Sequence, residues 1–157
     1  SYAHILRYVD GLNFERDDVF GIYNRTLKLI AVAHVAFAVA PGLTPYVEFG
    51  VSVSAHARGR GYGAQLFARA VMHARNQGAQ RMVIHALSEN TVMLKIARKA
   101  GATVQRDGAE AEAYLLLPLA SFDSQVTELV DEHVARTDYA VKRWLKALRG
   151  FFAHLRF

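Results

Sequence analysis

Three glycines at alternate positions, Gly59, Gly61 and Gly63, stand in the stretch HARGRGYGAQLF, between an apolar segment and a helical pattern. Glycine is the residue of tight main-chain turns and of close ligand approach to the backbone. Arg58 and Arg60 interleave with the three, and Tyr62 and Ala64 complete the entry into the helix. A strand, a glycine turn and a helix in that order constrain the fold to one that contains a strand–turn–helix unit.

The segments on either side extend this unit. Residues 2–9, YAHILRYV, read as a short helix with Ser1 as its cap and Asp10-Gly11 as its end. Residues 19–24 and 27–39 are rich in β-branched and aromatic residues, and the polar break at Asn24-Arg25-Thr26 predicts a hairpin. Pro41-Gly42 turns the chain into a third strand over 46–54. The helix after the glycines runs to about Gln77, where Gly78 stops it. RMVIHAL, residues 81–87, is a strand. Residues 89–101 form a helix, with Asn90 near its start and Gly101 just past its end. ATVQ and AYLLLP bracket a polar turn, RDGAEAE, as a last hairpin. From Ser121 onward apolar residues fall at helical spacing, and Thr137-Asp138 is placed as the cap of a second C-terminal helix. The result is an α/β chain of the α+β type. A mixed, mostly antiparallel sheet carries one βαβ crossover, and amphipathic helices follow it. Residues 1–118 form one domain and residues 119–157 a helical extension.

Three anions compete for the glycine turn. A Walker-type loop needs a Gly-Lys-Ser/Thr ending, which is absent. A dinucleotide fingerprint fits Gly59, Gly61 and Ala64 formally, but SAHAR separates it from the strand, and the strand order is not doubly wound. The third is Arg58-x-x-Gly61-x-Gly63, with backbone N–H groups converging at a helix N-terminus whose dipole favours a phosphate.

That third pattern resembles the acyl-CoA pyrophosphate loop of the GNAT-type N-acetyltransferases, Arg/Gln-x-x-Gly-x-Gly/Ala. Asn90 follows Arg58 by 32 positions, close to the family's gap. NTVMLKIARKAGA is similar to the family's next motif, Asn-x-x-Ala-x-x-Leu-Tyr-x-Lys-x-Gly-Phe. Asn90, Lys99 and Gly101 match it, and Ile96 matches in character. The resemblance spans about residues 19–118. It departs from the family at Ala97, which stands at the position of the tyrosine that protonates the leaving thiolate, and at Ala102 in place of phenylalanine. The first strand and helix of the family fold also have no counterpart ahead of the N-terminal helix.

The resemblance implies acetyl transfer from acetyl-CoA, the co-substrate, to a primary amine, with no metal. It places Arg58, Gly59, Arg60, Gly61, Tyr62, Gly63 and Ala64 around the pyrophosphate. The main chain at Val51 and Val53 lies along the acyl arm, and an N–H near Val53 faces the oxyanion. Asn90 binds the arm or a water, and is also a plain helix cap. A lysine-like ammonium has a pKa of about 10.4, so the amine must lose a proton. Glu48 alternates with Val47, Phe49, Val51 and Val53, and therefore shares the opposite strand face with Ser52 and Ser54. It is either the base or an ordinary polar strand residue. His85, in an apolar strand beside the cofactor cleft, reads as a hydrogen-bonded core histidine, with a proton relay as its other reading; His34 reads as a core histidine, Met72 and Met93 as core, and Tyr62 and Tyr114 as packing residues, with replacement of the missing tyrosine as their other reading. A catalytically silent acyl-CoA-binding or assembly module is the alternative to the enzyme.

Composition sets the remaining bounds. The chain is 52% hydrophobic and 21% charged, without cysteine, a signal peptide or a membrane-length apolar run, which suits a cytoplasmic globular protein. Of its 19 Lys and Arg, five follow residue 140, so residues 1–140 balance 14 basic against 14 acidic residues. A neutral body excludes general nucleic-acid binding. The C-terminal stripe, with Trp144 and Phe151-Phe152, is expected to pack in a homodimer rather than insert into a membrane.

Overall fold

The alternation in LIAVAHVAFA sets the sheet. Ala31, Ala33 and Val35 are buried while the residues between them are half-exposed, so this strand offers one face to a core and the other outward. The same parity holds for Val47 and Phe49, for Met82 and Ile84, and for Ala111, Ala113 and Leu115. The computed structural model describes residues 16–38 and 44–154. The predicted N-terminal helix, its Asp10-Gly11 end and the Pro41-Gly42 turn lie outside these residues. So do the side chains of residues 122–124, 137, 144, 145 and 147–154, Trp144 and Phe151-Phe152 among them.

Among the described residues six strands form one sheet: β1 Asp17–Tyr23, β2 Leu29–Ala38, β3 Tyr46–Val53, β4 Arg81–Leu87, β5 Thr103–Asp107 and β6 Glu110–Leu116. Their order is β1-β2-β3-β4-β6-β5, and only the β3–β4 pair is parallel. The predicted mixed, mostly antiparallel sheet is therefore the one formed. Asn24 closes the first hairpin by accepting from the Thr26 N–H and hydroxyl and from the Lys28 N–H through Oδ1. The last hairpin differs from the expected polar loop. Its strands run through RDGAEAE and leave only Gly108 and Ala109 as the turn, because Ala111 and Ala113 continue the buried parity.

Helix α1, Tyr62–Asn76, and helix α2, Thr91–Lys99, lie over the buried face. They contribute Leu66, Phe67, Ala70, Ala74, Met93 and Ala97 to the core. The Phe49 and Phe67 rings meet edge to face at 5.3 Å, worth about 1 kcal/mol beyond their burial.

The C-terminal segment is one helix, α3, Phe122–His154, and not two. Asp138 pairs with Lys142 one turn on and so supports the helix interior instead of capping a new start. Several contacts seat α3 on the body. His73 of α1 lies between Asp18 of β1 (Nε2 to Oδ2, 2.8 Å) and Glu128 of α3 (Nδ1 to Oε1, 2.5 Å), and Asn76 also donates to Glu128. Both ring nitrogens of His73 thus face a carboxylate oxygen. Further along, Lys142 donates to the Tyr23 carbonyl at 3.2 Å, and the Tyr23 and Tyr139 rings meet edge to face. Among the described residues no helix is long and apolar enough to cross a membrane.

Candidate active site

Beta strands 3 and 4 are hydrogen-bonded only from Tyr46–Arg81 to Phe49–Ile84. Beyond that point each remains paired with its other neighbour, β3 with β2 to Val53 and β4 with β6 to Leu87. The two halves of the sheet therefore part at Gly50 and His85. Alternate residues of a strand turn their N–H and C=O groups to opposite edges. The Ser54 N–H donates to Ile30 of β2, while the Pro45 carbonyl accepts from Gln80, just ahead of β4. The odd-numbered residues of β3 thus face β4, and the main-chain groups of Val51 and Val53 line the split.

The glycine turn closes the same end of the sheet. A short 3-10 turn, Ala55–Ala57, takes up the SAHAR spacer, and its buried Ala57 anchors it. Gly59 and Gly61 then take left-handed conformations (φ 75° and 82°), which glycine adopts without the cost a side chain brings. Gly61 is the N-cap of α1 and provides no side-chain cap, and the helix has no acidic residue in its first turn. The N–H groups of Tyr62, Gly63 and Ala64 are those an α-helix leaves without an internal partner. Helix α2 differs: Asn90 Oδ1 accepts from the Met93 N–H at 3.2 Å, which leaves the NH₂ group of the exposed amide as a donor.

Arg58 and Arg60 are exposed beside the turn. Arg58 Nε donates to the Val53 carbonyl at 3.2 Å, which ties the loop to the end of β3. A Cβ added at Gly63 would sit 3.8 Å from Ile96 Cδ1 and 3.9 Å from Val53 Cγ2, so the helix start packs closely on β3 and α2. The turn, Val51, Val53 and Asn90 thus gather at the carboxyl ends of the two parallel strands, where open α/β sheets bind ligands.

Glu48 is exposed on the opposite face from α1 and α2, level with Ala36 and Val83, one residue before the split. His85 corrects the core reading. Met82 and Ile84 take the buried parity of β4, and His85 lies on the outer face with 54% of its side chain exposed. Its Nδ1 is 3.3 Å from Glu112 Oε1, and the Tyr114 hydroxyl donates to Glu112 Oε2. That hydrogen bond, with burial and the repulsion of the same carboxylate behind it, holds the Tyr114 phenol above its ordinary range, and Arg81 pulls weakly the other way. His34 is half-buried on β2, 3.3 Å from Asp17. Met93 is in the core as expected, and Ala97 is fully buried there.

The model of the acetyltransferase (GNAT) family matches residues 12–102, more than half of the chain. The chain belongs to the acetyltransferase (GNAT) family. Solved structures agree on the fold. The GNAT domain of PAT from S. lividans is 22% identical with a TM-score of 0.60, over 74% of this chain and 69% of that one. A putative acetyltransferase from Acinetobacter baylyi is 18% identical with a TM-score of 0.62, over 74% and 73%. A cAMP-binding acyltransferase from Mycobacterium smegmatis (E234A mutant) is 23% identical with a TM-score of 0.58, and this chain covers only 35% of its length. A putative acetyltransferase from Salmonella typhimurium, yncA, was solved with its cofactor acetyl-CoA, at 22% identity, a TM-score of 0.51 and coverage of 57% and 59%. No curated protein matches.

Proposed function

We propose that this GNAT member transfers the acetyl group of acetyl-CoA to a primary amine, and that residues 1–118 hold the site. The parting of β3 from β4 after Phe49 and Ile84, with an uncapped helix start at the same end, carries the reading. The N–H groups of Tyr62, Gly63 and Ala64 and the flanking Arg58 and Arg60 suit a pyrophosphate. The free edge at Val51 and Val53 suits an amide-bearing arm lying in the split, and Asn90 offers its NH₂ group beside it. When bound, acetyl-CoA supplies an activated acyl group. The Val53 N–H is the donor placed for the carbonyl oxygen, and exposed Glu48, beside the split, draws in the amine cation and supports its loss of a proton.

A silent module is the competing reading, because buried Ala97 leaves no phenol at the family's acid position. A thiol has a pKa of about 8.5, so its anion leaves tolerably without that acid. Glu48→Gln separates the two readings: the enzyme loses rate and keeps acetyl-CoA affinity. Loss of neither, with no thiol release from the parent protein, establishes the silent module.

For the partner, the reading extends to a second copy laid on α3. Val126, Val130, Val134 and Val141 are 42% to 61% exposed along it. Glu132 lies in its first half and Arg143 and Lys146 in its second, so two antiparallel copies oppose unlike charges. Sedimentation of the protein and of Val130→Glu tests this, with a dimer expected for the first and a monomer for the second.

A further inference from the structure

The split has two rims on the outer face of the sheet, and the second carries chemistry that the reading above does not use. His85 occupies the first position of β4 that β3 does not pair, and the residue opposite it is Gly50. A Cβ added at Gly50 would meet nothing within 4 Å, so the protein leaves open space there that its own packing does not require. On the far side of His85, Glu112 pairs with it across the β4–β6 ladder, and its Oε1 lies 3.3 Å from Nδ1. The other oxygen of Glu112 is held by the Tyr114 hydroxyl. The carboxylate is thus fixed from one side and faces the imidazole from the other.

We propose that His85 is the group that takes the proton of the acceptor amine, and that Glu112 is its positioning residue. The proposal rests on the acetyl-transfer reading and deepens it. In the proposed arrangement Nδ1, which faces the Glu112 carboxylate at 3.3 Å, carries the hydrogen and Nε2 keeps its lone pair. Imidazole titrates nearer neutrality than a carboxylate, which makes it the better-matched base for an amine at neutral pH. Nε2 takes one proton from the ammonium. The freed nitrogen pair forms the C–N bond to the acetyl carbon, and the C–S bond breaks with its electrons on sulfur. The second nitrogen-bound proton ends on that sulfur, giving the thiol and the amide, and the imidazolium returns its proton to water. Glu48, on the opposite rim, then serves to attract the cation. The charged and titratable groups around His85 on this face are Tyr46 and Glu48 of β3, Arg81 of β4, Glu110, Glu112 and Tyr114 of β6 and Asp107 of β5, with His34 and Asp17 beyond Gly50.

The test combines a structural readout with a kinetic one. Long-range ¹⁵N NMR of the histidine-labelled protein reads the His85 tautomer without any turnover, and the expected form is Nδ1–H, lost in Glu112→Gln. A dominant Nε2–H form overturns the proposal. Thiol release is then followed against pH with acetyl-CoA and n-butylamine, spermidine or a lysine-containing peptide. The parent kcat/KM is expected to fall on the acid side as the imidazole gains its proton. In His85→Gln that limb is absent, and kcat drops about 10²-fold with CoA affinity unchanged. Glu112→Gln lowers kcat and moves the same limb, which a merely structural loss would not do. Turnover with the limb unmoved in His85→Gln overturns the assignment to His85 and leaves acetyl transfer standing. CoA binding without thiol release from any of the three amines overturns acetyl transfer itself. His85 is exposed, so its substitution does not touch the core.

Discussion

Replacing Gly61 and Gly63 with alanine, one at a time, separates what the turn does for the fold from what it does for a ligand. Gly61 sits at φ 82°, where an L side chain costs about 1–2 kcal/mol. Neither glycine nor alanine caps with its side chain, so no other change offsets that cost. Gly63 has ordinary helical geometry inside α1, and its new methyl would sit at 3.8–3.9 Å from two side chains, an ordinary contact. Alanine there gains about 0.5–1 kcal/mol from helix propensity and reduced freedom of the unfolded chain. For a chain of this size each kcal/mol moves Tm by about 2–4 °C. The two variants should therefore melt on opposite sides of the parent, about 3–12 °C apart. Calorimetric titration with CoA completes the assay. Gly61→Ala turns N–H donors away from the phosphates and weakens binding about 10- to 150-fold, the scale of one charge-assisted hydrogen bond at about 1.5–3 kcal/mol. Gly63→Ala keeps affinity within about threefold. Equal melting temperatures refute the conformational argument, and unchanged affinity in Gly61→Ala refutes the phosphate assignment.

Other positions yield sharp outcomes. Ala97→Tyr should not restore a missing acid but overfill a core site, costing about 1–3 kcal/mol in a denaturant melt, with no gain in thiol release. His73→Ala takes a donor from Asp18 and leaves Glu128 with Asn76 alone, so it should cost about 1–3 kcal/mol and speed hydrogen exchange along α3. Unchanged exchange there would show that α3 is held by other contacts. Tyr114 should ionise later than an ordinary tyrosine when absorbance at 295 nm is followed with pH, and Glu112→Gln should return it toward 10.0. Because the folded state raises this pKa, its contribution to stability is complete below pH 10 and is lost only as pH rises through the folded value. A Tyr114 that titrates alike with and without Glu112 contradicts the contact.

The glycine turn, Asn90 and the outward parity of Glu48 were legible in the sequence because each rests on a local rule. Gly61 needs a positive φ, Asn90 caps its own helix, and Glu48 alternates with buried neighbours. The outward placement of His85 was not, although the same alternation applies to it. Its strand, RMVIHAL, is apolar on both faces, so period two gave no contrast, and the carboxylate that faces it lies 27 positions on in the sequence. The last hairpin was misread for the opposite reason. Charged and carrying Asp-Gly, RDGAEAE looks like a loop, yet its Ala111 is buried and continues the inward parity of β6. In α3 the Thr137-Asp138 pair mimics a helix start, but tertiary contacts at His73 and Tyr23 hold the backbone in one helix through it. The parting of β3 from β4 is a relation between two strands, and the two halves are set by their separate partners, β2 and β6.

The central claim is that the split and the turn serve acyl transfer and not storage of a cofactor. Thiol release from acetyl-CoA, measured with and without a primary amine and with mass spectrometry of the amine, tests it most directly. The account predicts release that depends on the amine, an acetylated product in equal amount, and a slower rate in Glu48→Gln at unchanged acetyl-CoA affinity. Tight acetyl-CoA binding with no amine-dependent release and no acetylated product would contradict it.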